Sequence, residues 1–213
     1  MTDIRGAIFD LDGTLLDSMG IWGKIDERFL AKRGIPLPED YVEAVTPMTY
    51  PEAASYTVAR FSLPESPQEI IREWIALSEQ AYRCEIPLKP YGKEYLTALK
   101  QRGVRLAVAT AQMPELYEPA LQSNGVYGLF DAFAHLGEVK RGKGFPDVYL
   151  LASQRLGLSP RDCVVFEDIA DGIRGAKAGG FHTCGVYDLY SEYEKETILR
   201  ESERYIHSFR ELL

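Results

Sequence analysis

Short apolar runs and helical spacings follow one another along the chain in a definite order. Gly6-Ala7-Ile8-Phe9 is a brief apolar run that stops at Asp10-Leu11-Asp12-Gly13-Thr14, where two acids and a glycine mark a turn. From Ser18 the spacing becomes helical. Ile21, Ile25 and Phe29 recur every fourth residue beside Trp22 and Leu30, with Lys24, Asp26, Glu27 and Arg28 expected to face away. Gly34 and Pro36 end that helix. Stretches 38–45, 51–61 and 67–83 each open on a proline suited to a first helical turn, and the last aligns Ile70, Trp74, Leu77 and Ala81 on one face. Residues of about 18–86 therefore predict a small all-helical unit.

Beyond Pro87-Leu88-Lys89-Pro90-Tyr91-Gly92 the pattern alternates between helix and strand. A helix ending at Gly103 leads to an apolar strand over 104–110, then come a helix near 114–124 and a short strand near 132–135. A helix over 145–156 precedes Cys163-Val164-Val165-Phe166, a strand that ends at Glu167-Asp168, and a helix over 172–178 leads to a last strand over 183–186. Repeated strand–helix–strand units imply a parallel sheet covered on both faces and joined by right-handed crossovers. The expected fold is α/β, with a Rossmann-like parallel core formed by 1–17 and 87–213 and an all-helical insertion at 18–86. No internal repeat, low-complexity stretch or long flexible linker interrupts it.

Composition narrows the function classes. Of 213 residues, 46% are apolar and 26% charged, which excludes disordered and collagen-like chains. No run of about 18 apolar residues is available to span a bilayer, and no apolar signal region follows the first charges, so a cytoplasmic location is expected. Cys84, Cys163 and Cys184 are odd in number and far apart, which predicts reduced thiols and no zinc site. A net charge of −8 without a concentrated basic face argues against nucleic acid or a membrane as partner. A small anionic ligand is still compatible, because one cation or a few aimed N–H groups at close range outweigh a diffuse field.

Candidate chemistry collects where the strands end. In an open parallel sheet the ligand crevice lies beyond the carboxyl ends of the strands. Asp10 with Asp12, Thr110, and Glu167 with Asp168 all fall at such ends, and Asp171 follows a few residues later. One acid after a strand is as readily a cap or a turn former. Several together repel one another unless a counter-charge is present, and a hard divalent cation, with Mg2+ the expected ion, is the economical one. Asp10, at a strand tip, is the candidate nucleophile toward phosphorus. Asp12, two residues on, is placed to protonate a departing ester oxygen and later to deprotonate water. Gly13 permits the tight turn, and the N–H groups of Leu11 and Asp12 are candidates to support phosphoryl oxygens. Thr110 offers a further hydroxyl, with capping of the next helix as its alternative role. Lys140, Arg141 and Lys143 are the nearby cations; alone, such a cluster reads as a solvated surface.

These residues resemble those of the haloacid dehalogenase superfamily, in its phosphatase and β-phosphoglucomutase-like branch. Asp10-Leu11-Asp12-Gly13-Thr14-Leu15 is similar to the first motif of that family without a mismatch, and Thr110 closes the second in the expected place. Lys143-Gly144-Phe145-Pro146-Asp147 resembles a Lys-Pro-x-Pro-Asp segment, which selects Lys143 as the phosphate-binding lysine; Gly144 stands where proline is usual. Glu167-Asp168 followed by Gly172 and Ala178-Gly179 resembles the fourth motif, with Ile169 in place of a customary serine, so that a hydrogen-bonding side chain beside the metal is missing.

The resemblance spans nearly the whole chain. It implies metal ligation by Asp10, the backbone carbonyl of Asp12, and Asp168, with Glu167 or Asp171 reaching the ion directly or through water. It implies phosphate contacts from Leu11, Asp12, Thr110, Ala111 and Lys143, and makes the helical insertion a mobile cap with hinges near 15–17 and 88–92.

The implied activity is Mg2+-dependent removal of phosphate from a small organic phosphomonoester through an aspartyl phosphate, by a monomer or weak homodimer. A phosphomutase is the nearest alternative. Trp22, in the stretch where sugar-phosphate mutases and many sugar phosphatases of this branch carry a histidine, and Thr46-Pro47-Met48-Thr49-Tyr50, which lacks the arginine expected to clamp a second phosphate, weaken it. A phosphoacceptor signalling module gathers similar residues, but the roughly 70-residue helical insertion argues against it, since such modules lie near the small end of domain sizes. A ligand-binding protein without turnover is disfavoured by the intact set Asp10, Asp12, Lys143 and Asp168. Arg60, Arg72 and Arg83 are candidate clamps that read more simply as solvated helix residues, and His135, His182 and His207 follow no ligand spacing.

Overall fold

Residues 4–45 and 48–213 are described by the computed structural model. Six strands, β1 (Gly6–Phe9), β2 (Arg105–Thr110), β3 (Ala132–His135), β4 (Cys163–Glu167), β5 (His182–Val186) and β6 (Arg204–Ile206), form one sheet in the order β3-β2-β1-β4-β5-β6. Every pairing is parallel, which demands crossovers, and the helices supply them. These are α5 (Gly92–Gln101), α6 (Pro114–Ser123), α7 (Asp147–Leu156), α8 (Ala170–Ala178) and α9 (Lys195–Glu201), once α1 (Ile21–Ala31), α2 (Tyr41–Val45), α3 (Tyr50–Phe61) and α4 (Pro67–Cys84) have been passed in the chain. The chain falls into two compact units, one running to Met19 and resuming over Ile86–Leu213, the other Gly20–Glu85.

In the α/β unit, side chains alternate across the central strands as the two-residue period requires. Ile8, Val165, Ala107 and Ala109 join Ala132 and Ala134 on the face that α7 covers through Val148, Tyr149 and Ala152. The alanines keep that face shallow, so the helix seats closely. The other face is aromatic: Phe9 stacks on Phe166 with ring centroids 4.5 Å apart, and Tyr95, Phe130 and Phe209 surround the pair. Both central strands are buried along their whole length, as expected of a sheet covered on two sides.

Between Asp10 and Met19 the chain makes a tight loop in which the Leu11 carbonyl accepts from the N–H groups of Thr14, Leu15 and Leu16. Gly13 takes φ +80, a left-handed conformation that favours glycine. The loop then runs antiparallel to the returning chain, with Asp17 N–H donating to the Pro87 carbonyl and Lys89 N–H to that of Leu15.

The helical unit is built from capped amphipathic helices. Thr49 with Glu52 and Ser66 with Glu69 form reciprocal capping boxes at the starts of α3 and α4, each followed by proline. Phe29, Trp74, Ile25 and Ile70 are buried inside it, and Tyr41 hydrogen-bonds Thr57 at 2.6 Å. Arg33 bridges Glu65 and Glu73 at 2.8 and 2.7 Å.

Several boundaries differ from the sequence expectation. α7 begins at Asp147, not at Phe145, because Gly142 to Phe145 closes a separate turn and Pro146 occupies the cap. α2 begins at Tyr41, three residues beyond Pro38. α9 and β6 were not expected: β6 is a three-residue edge strand in which only Ile206 is buried, too short to show a period. Asp26 does not face away. Burial pushes its carboxyl up to about 7, and it has no hydrogen bond or ion pair among the described residues.

Candidate active site

The order of the sheet determines which polar strand ends meet. β1 lies between β2 and β4, with Phe9 level with Val108 on one side and Phe166 on the other. Asp10 is the next residue, its N–H donating to the Phe166 carbonyl, so its side chain emerges level with Glu167. Asp10, Glu167 and Asp168 are buried, and each offers a carboxylate oxygen within 4.8 Å of the others.

Lys143 is the cation of this cluster. Its ammonium pairs with Asp10 Oδ1 and lies 2.8 Å from Glu167 Oε1. It reaches the site from a loop between β3 and α7 that lies against α8 at Gly175. A Cβ there would fall 1.9 Å from the Lys143 carbonyl oxygen, so only glycine lets the loop approach so closely. Gly172, one turn earlier, does the same for Glu167, whose carboxyl carbon is 2.4 Å from where a Cβ would stand.

Hydroxyl groups hold the acids. Tyr149 donates to Glu167 Oε1 at 2.7 Å, Thr14 to Asp168 Oδ1 at 2.9 Å and Ser191 to Asp168 Oδ2 at 2.8 Å. Two buried oxygens of the cluster, Asp10 Oδ2 and Glu167 Oε2, have no hydrogen-bond partner among the described residues. Burial raises the proton affinity of Asp10 well above the usual carboxylate range; Lys143 opposes this, and Glu167 and Asp168 reinforce it. Asp168 is pushed up to about 6 by burial and by Glu167, against Lys143 and its two hydroxyl donors. Burial works against the Lys143 ammonium, but the three carboxylates more than reverse it, so it holds its proton more firmly than an ordinary lysine.

One ammonium thus faces three buried carboxylates, two of which carry an oxygen without a partner. Orphaned buried oxygens are costly, and hard oxygen donors so closely spaced fit a divalent cation. The chain's own residues satisfy that test.

The remaining candidates are placed as follows. Asp12 is half-buried outside the acid cluster and accepts from Ser18 Oγ at 2.5 Å. Leu11 is buried in the tight loop. Thr110, at the end of β2, is buried and accepts from the Gln112 N–H at 3.1 Å, while neighbouring Ala111 is exposed. Asp171 lies apart from the cluster: it is 70% exposed on the first turn of α8 and pairs with Arg174 at 3.2 Å. Lys140 is exposed, and Arg141 pairs with Asp147 and covers the Phe145 ring at 4.4 Å, so Lys143 alone of the three cations enters the cluster.

In the helical unit, Trp22 packs edge-on against Tyr50, with centroids 6.3 Å apart, and Arg60 is engaged by Asp40 at 2.7 Å. Arg72 and Arg83 are exposed. Thr46 and Pro47 of the arginine-free stretch lie outside the described residues. Of the histidines, His135 ends β3 beside Glu138, His182 pairs with Glu203, and His207 packs against Tyr187 and Tyr205. Tyr149, Ser191 and Gly175 were not singled out from the sequence, and Thr14 only as a member of the first motif, without a role. A small residue every third position from Gly172 to Ala178 was the only visible sign of Gly175.

A parallel α/β sheet whose central strand ends in a buried acid, salt-bridged to a lysine and flanked by two more acids, defines a class of hydrolase. The haloacid dehalogenase-like hydrolase family matches residues 4–180. The chain belongs to that family, in its phosphatase branch, and is a phosphoric monoester hydrolase. Hexitol phosphatase A of Escherichia coli is 32% identical over 187 residues, covering 85% of this chain and 82% of its own. The crystal structure of CbbY from Rhodobacter sphaeroides in complex with phosphate superposes with a TM-score of 0.75 at 27% identity, covering 98% of this chain and 96% of that one. β-Phosphoglucomutase from Clostridium difficile shares the fold, with a TM-score of 0.70 at 20% identity over 99% of this chain and 93% of its own. Among the described residues no helix is long and apolar enough to cross a membrane.

Proposed function

We propose that the chain is a Mg2+-dependent phosphatase that removes phosphate from a small organic phosphomonoester through a phosphorylated Asp10. The observation that carries this reading is the buried Asp10 carboxylate, with one oxygen on Lys143 and the other without a partner. A carboxylate that attacks phosphorus must be ionised, and a second cation beside Lys143 would favour that state among three neighbouring acids. Asp10, Glu167 and Asp168, together with the Asp12 carbonyl, would hold the ion, which when bound supplies positive charge against the carboxylates and the phosphoryl oxygens.

In the first step an Asp10 oxygen forms a bond to phosphorus as the ester oxygen departs and takes a proton from Asp12. In the second, Asp12 removes a proton from water, the water oxygen attacks phosphorus, and the bond to Asp10 breaks, giving inorganic phosphate and free Asp10. Lys143 holds Asp10 in place and balances negative charge on the transferring group, with Thr110 as a further donor. The helical unit is assigned the choice of leaving group, and the hexitol phosphatase among the relatives favours phosphorylated polyols and sugars.

The test is phosphate release from a panel of polyol and sugar phosphates with and without Mg2+, alongside isomerisation assays on hexose 1-phosphates. Release is expected to require the ion, isomerisation to be absent, and an acid-trapped phosphoryl adduct to appear on Asp10 by mass spectrometry. Asp10→Asn is expected to abolish release while leaving the fold intact. Retention of more than a few per cent of activity would remove Asp10 as nucleophile.

A further inference from the structure

Asp168 is followed by Ile169, whose side chain offers no hydrogen bond, yet both of its carboxylate oxygens are held: Oδ1 by Thr14 and Oδ2 by Ser191. Thr14 belongs to the loop that carries Asp10 and Asp12. Ser191 comes from a different part of the chain, a helical turn over Leu189–Glu194 that follows β5. It is 5% exposed.

That turn is fixed at its start, middle and end. At the start, Asp188 pairs with Lys89 at 2.9 Å and accepts from the Tyr190 N–H at 2.8 Å. In the middle, Ser191 N–H donates to the Asp188 carbonyl at 3.2 Å while its hydroxyl reaches Asp168. At the end, the Glu194 carboxylate accepts from the Ala170 N–H at 3.1 Å, two residues beyond Asp168. The oxygen that Ser191 holds is also crowded by the backbone of the first loop, since a Cβ on Gly13 would lie 2.4 Å from it.

A carboxylate rotates about its Cβ–Cγ bond unless both oxygens are engaged. With a hydroxyl on each, Asp168 is fixed, and each oxygen retains a lone pair in a defined direction. We propose that Ser191 is a positioning residue for Asp168: from a strap clamped by Lys89 and Ala170, it orients that carboxylate for a divalent cation. The inference rests on the reading that Asp168 helps to hold such an ion.

The test is calorimetric titration of the full-length protein with Mg2+, in the absence of substrate, for the parent, Ser191→Ala and Ser191→Thr. Ser191→Ala is expected to weaken Mg2+ binding about 10- to 100-fold, the usual effect of removing a group that orients a ligand. Its melting temperature in EDTA is expected to stay within about 3 °C of the parent, the scale of one lost hydrogen bond. Ser191→Thr, which keeps the hydroxyl, is expected to recover most of the affinity. Should Ser191→Ala not fold, Ser191→Cys, similar in size but a weak donor, carries the same comparison.

Mg2+ affinity in Ser191→Ala within twofold of the parent overturns the proposal, as does a threonine variant that binds no better than alanine. A parent that binds no divalent cation overturns the metal reading itself and this inference with it, whereas a parent and an alanine variant that bind equally well overturn this inference alone.

Discussion

Asp168, buried, and Asp26, half-buried, show how differently the two units treat an acid withdrawn from water. Asp168 sits in the α/β unit with two hydroxyl donors and a lysine in range, and its carboxyl is pushed up only to about 6 despite nearly complete burial. Asp26, on α1 of the helical unit, is less deeply buried, yet burial carries it to about 7, with no hydrogen bond or ion pair among the described residues to oppose it. Elsewhere in the helical unit charges sit at the surface in pairs such as Arg28 with Glu85 and Lys32 with Glu73. The difference teaches that burial is not what marks the site. A network of donors drawn from separate stretches of chain, Thr14, Lys143, Tyr149 and Ser191, converging on the strand-end carboxylates, is what sets it apart.

The strongest way to break this contrast is Lys143→Met. It leaves three buried carboxylates without their cation, and the expected result is a loss of phosphate release of at least about 1,000-fold. The same variant is expected to lose about 3–5 kcal/mol of unfolding free energy in EDTA, measured by urea denaturation. Unchanged stability would mean that Lys143 does not offset the charge of the buried acids.

Asp12→Asn tests the proton transfer separately from the charge network, since Asp12 lies outside the acid cluster. Release from an alkyl phosphate is expected to fall about 100-fold or more, and release from nitrophenyl phosphate to fall less because that leaving group needs little protonation. Equal losses would assign Asp12 another role.

Asp26→Asn sharpens the other side of the comparison. The folded chain holds the Asp26 proton to about pH 7, whereas an unfolded chain releases it near 3.8. Protons are therefore bound more tightly when folded, and stability declines as pH rises between those values. Asparagine does not titrate, so the variant is expected to be more stable than the parent at pH 8 by on the order of 2 kcal/mol, with the advantage vanishing below about pH 4. A parent whose melting temperature shows no relative decline over that interval would show that Asp26 finds a partner in solution.

Much of this arrangement is legible in the sequence because it lies at the ends of apolar strands. Asp10, Thr110, Glu167 and Asp168 each terminate or follow a short buried run, and in a parallel sheet those ends share one edge. The donors are harder to read. Tyr149 looks like any core aromatic of an amphipathic helix until α7 is laid on the sheet and its hydroxyl reaches Glu167. Ser191 lies in a polar stretch, Leu189-Tyr190-Ser191-Glu192-Tyr193-Glu194, without any period to single it out. Asp171 was a plausible ligand by proximity in the chain, but the first turn of α8 carries it toward solvent and Arg174. Asp26 misleads for the converse reason: helical spacing identifies the apolar stripe, but says little about how far the stripe's neighbours are covered.

Because β1 occupies the middle of the sheet, Ile8 pairs with Val165 across most of the chain. At synthesis rates of roughly 5–20 residues per second, Asp10 leaves the ribosome about 10–30 s before the acids that share its site. The N-terminal strand must wait, with one long-range edge unmatched, for a late partner, which places this protein among the slower folders of its size. The nascent chain thus displays the Asp10 loop well before Glu167 and Asp168 exist, and the buried acid cluster assembles only after β4 has been made.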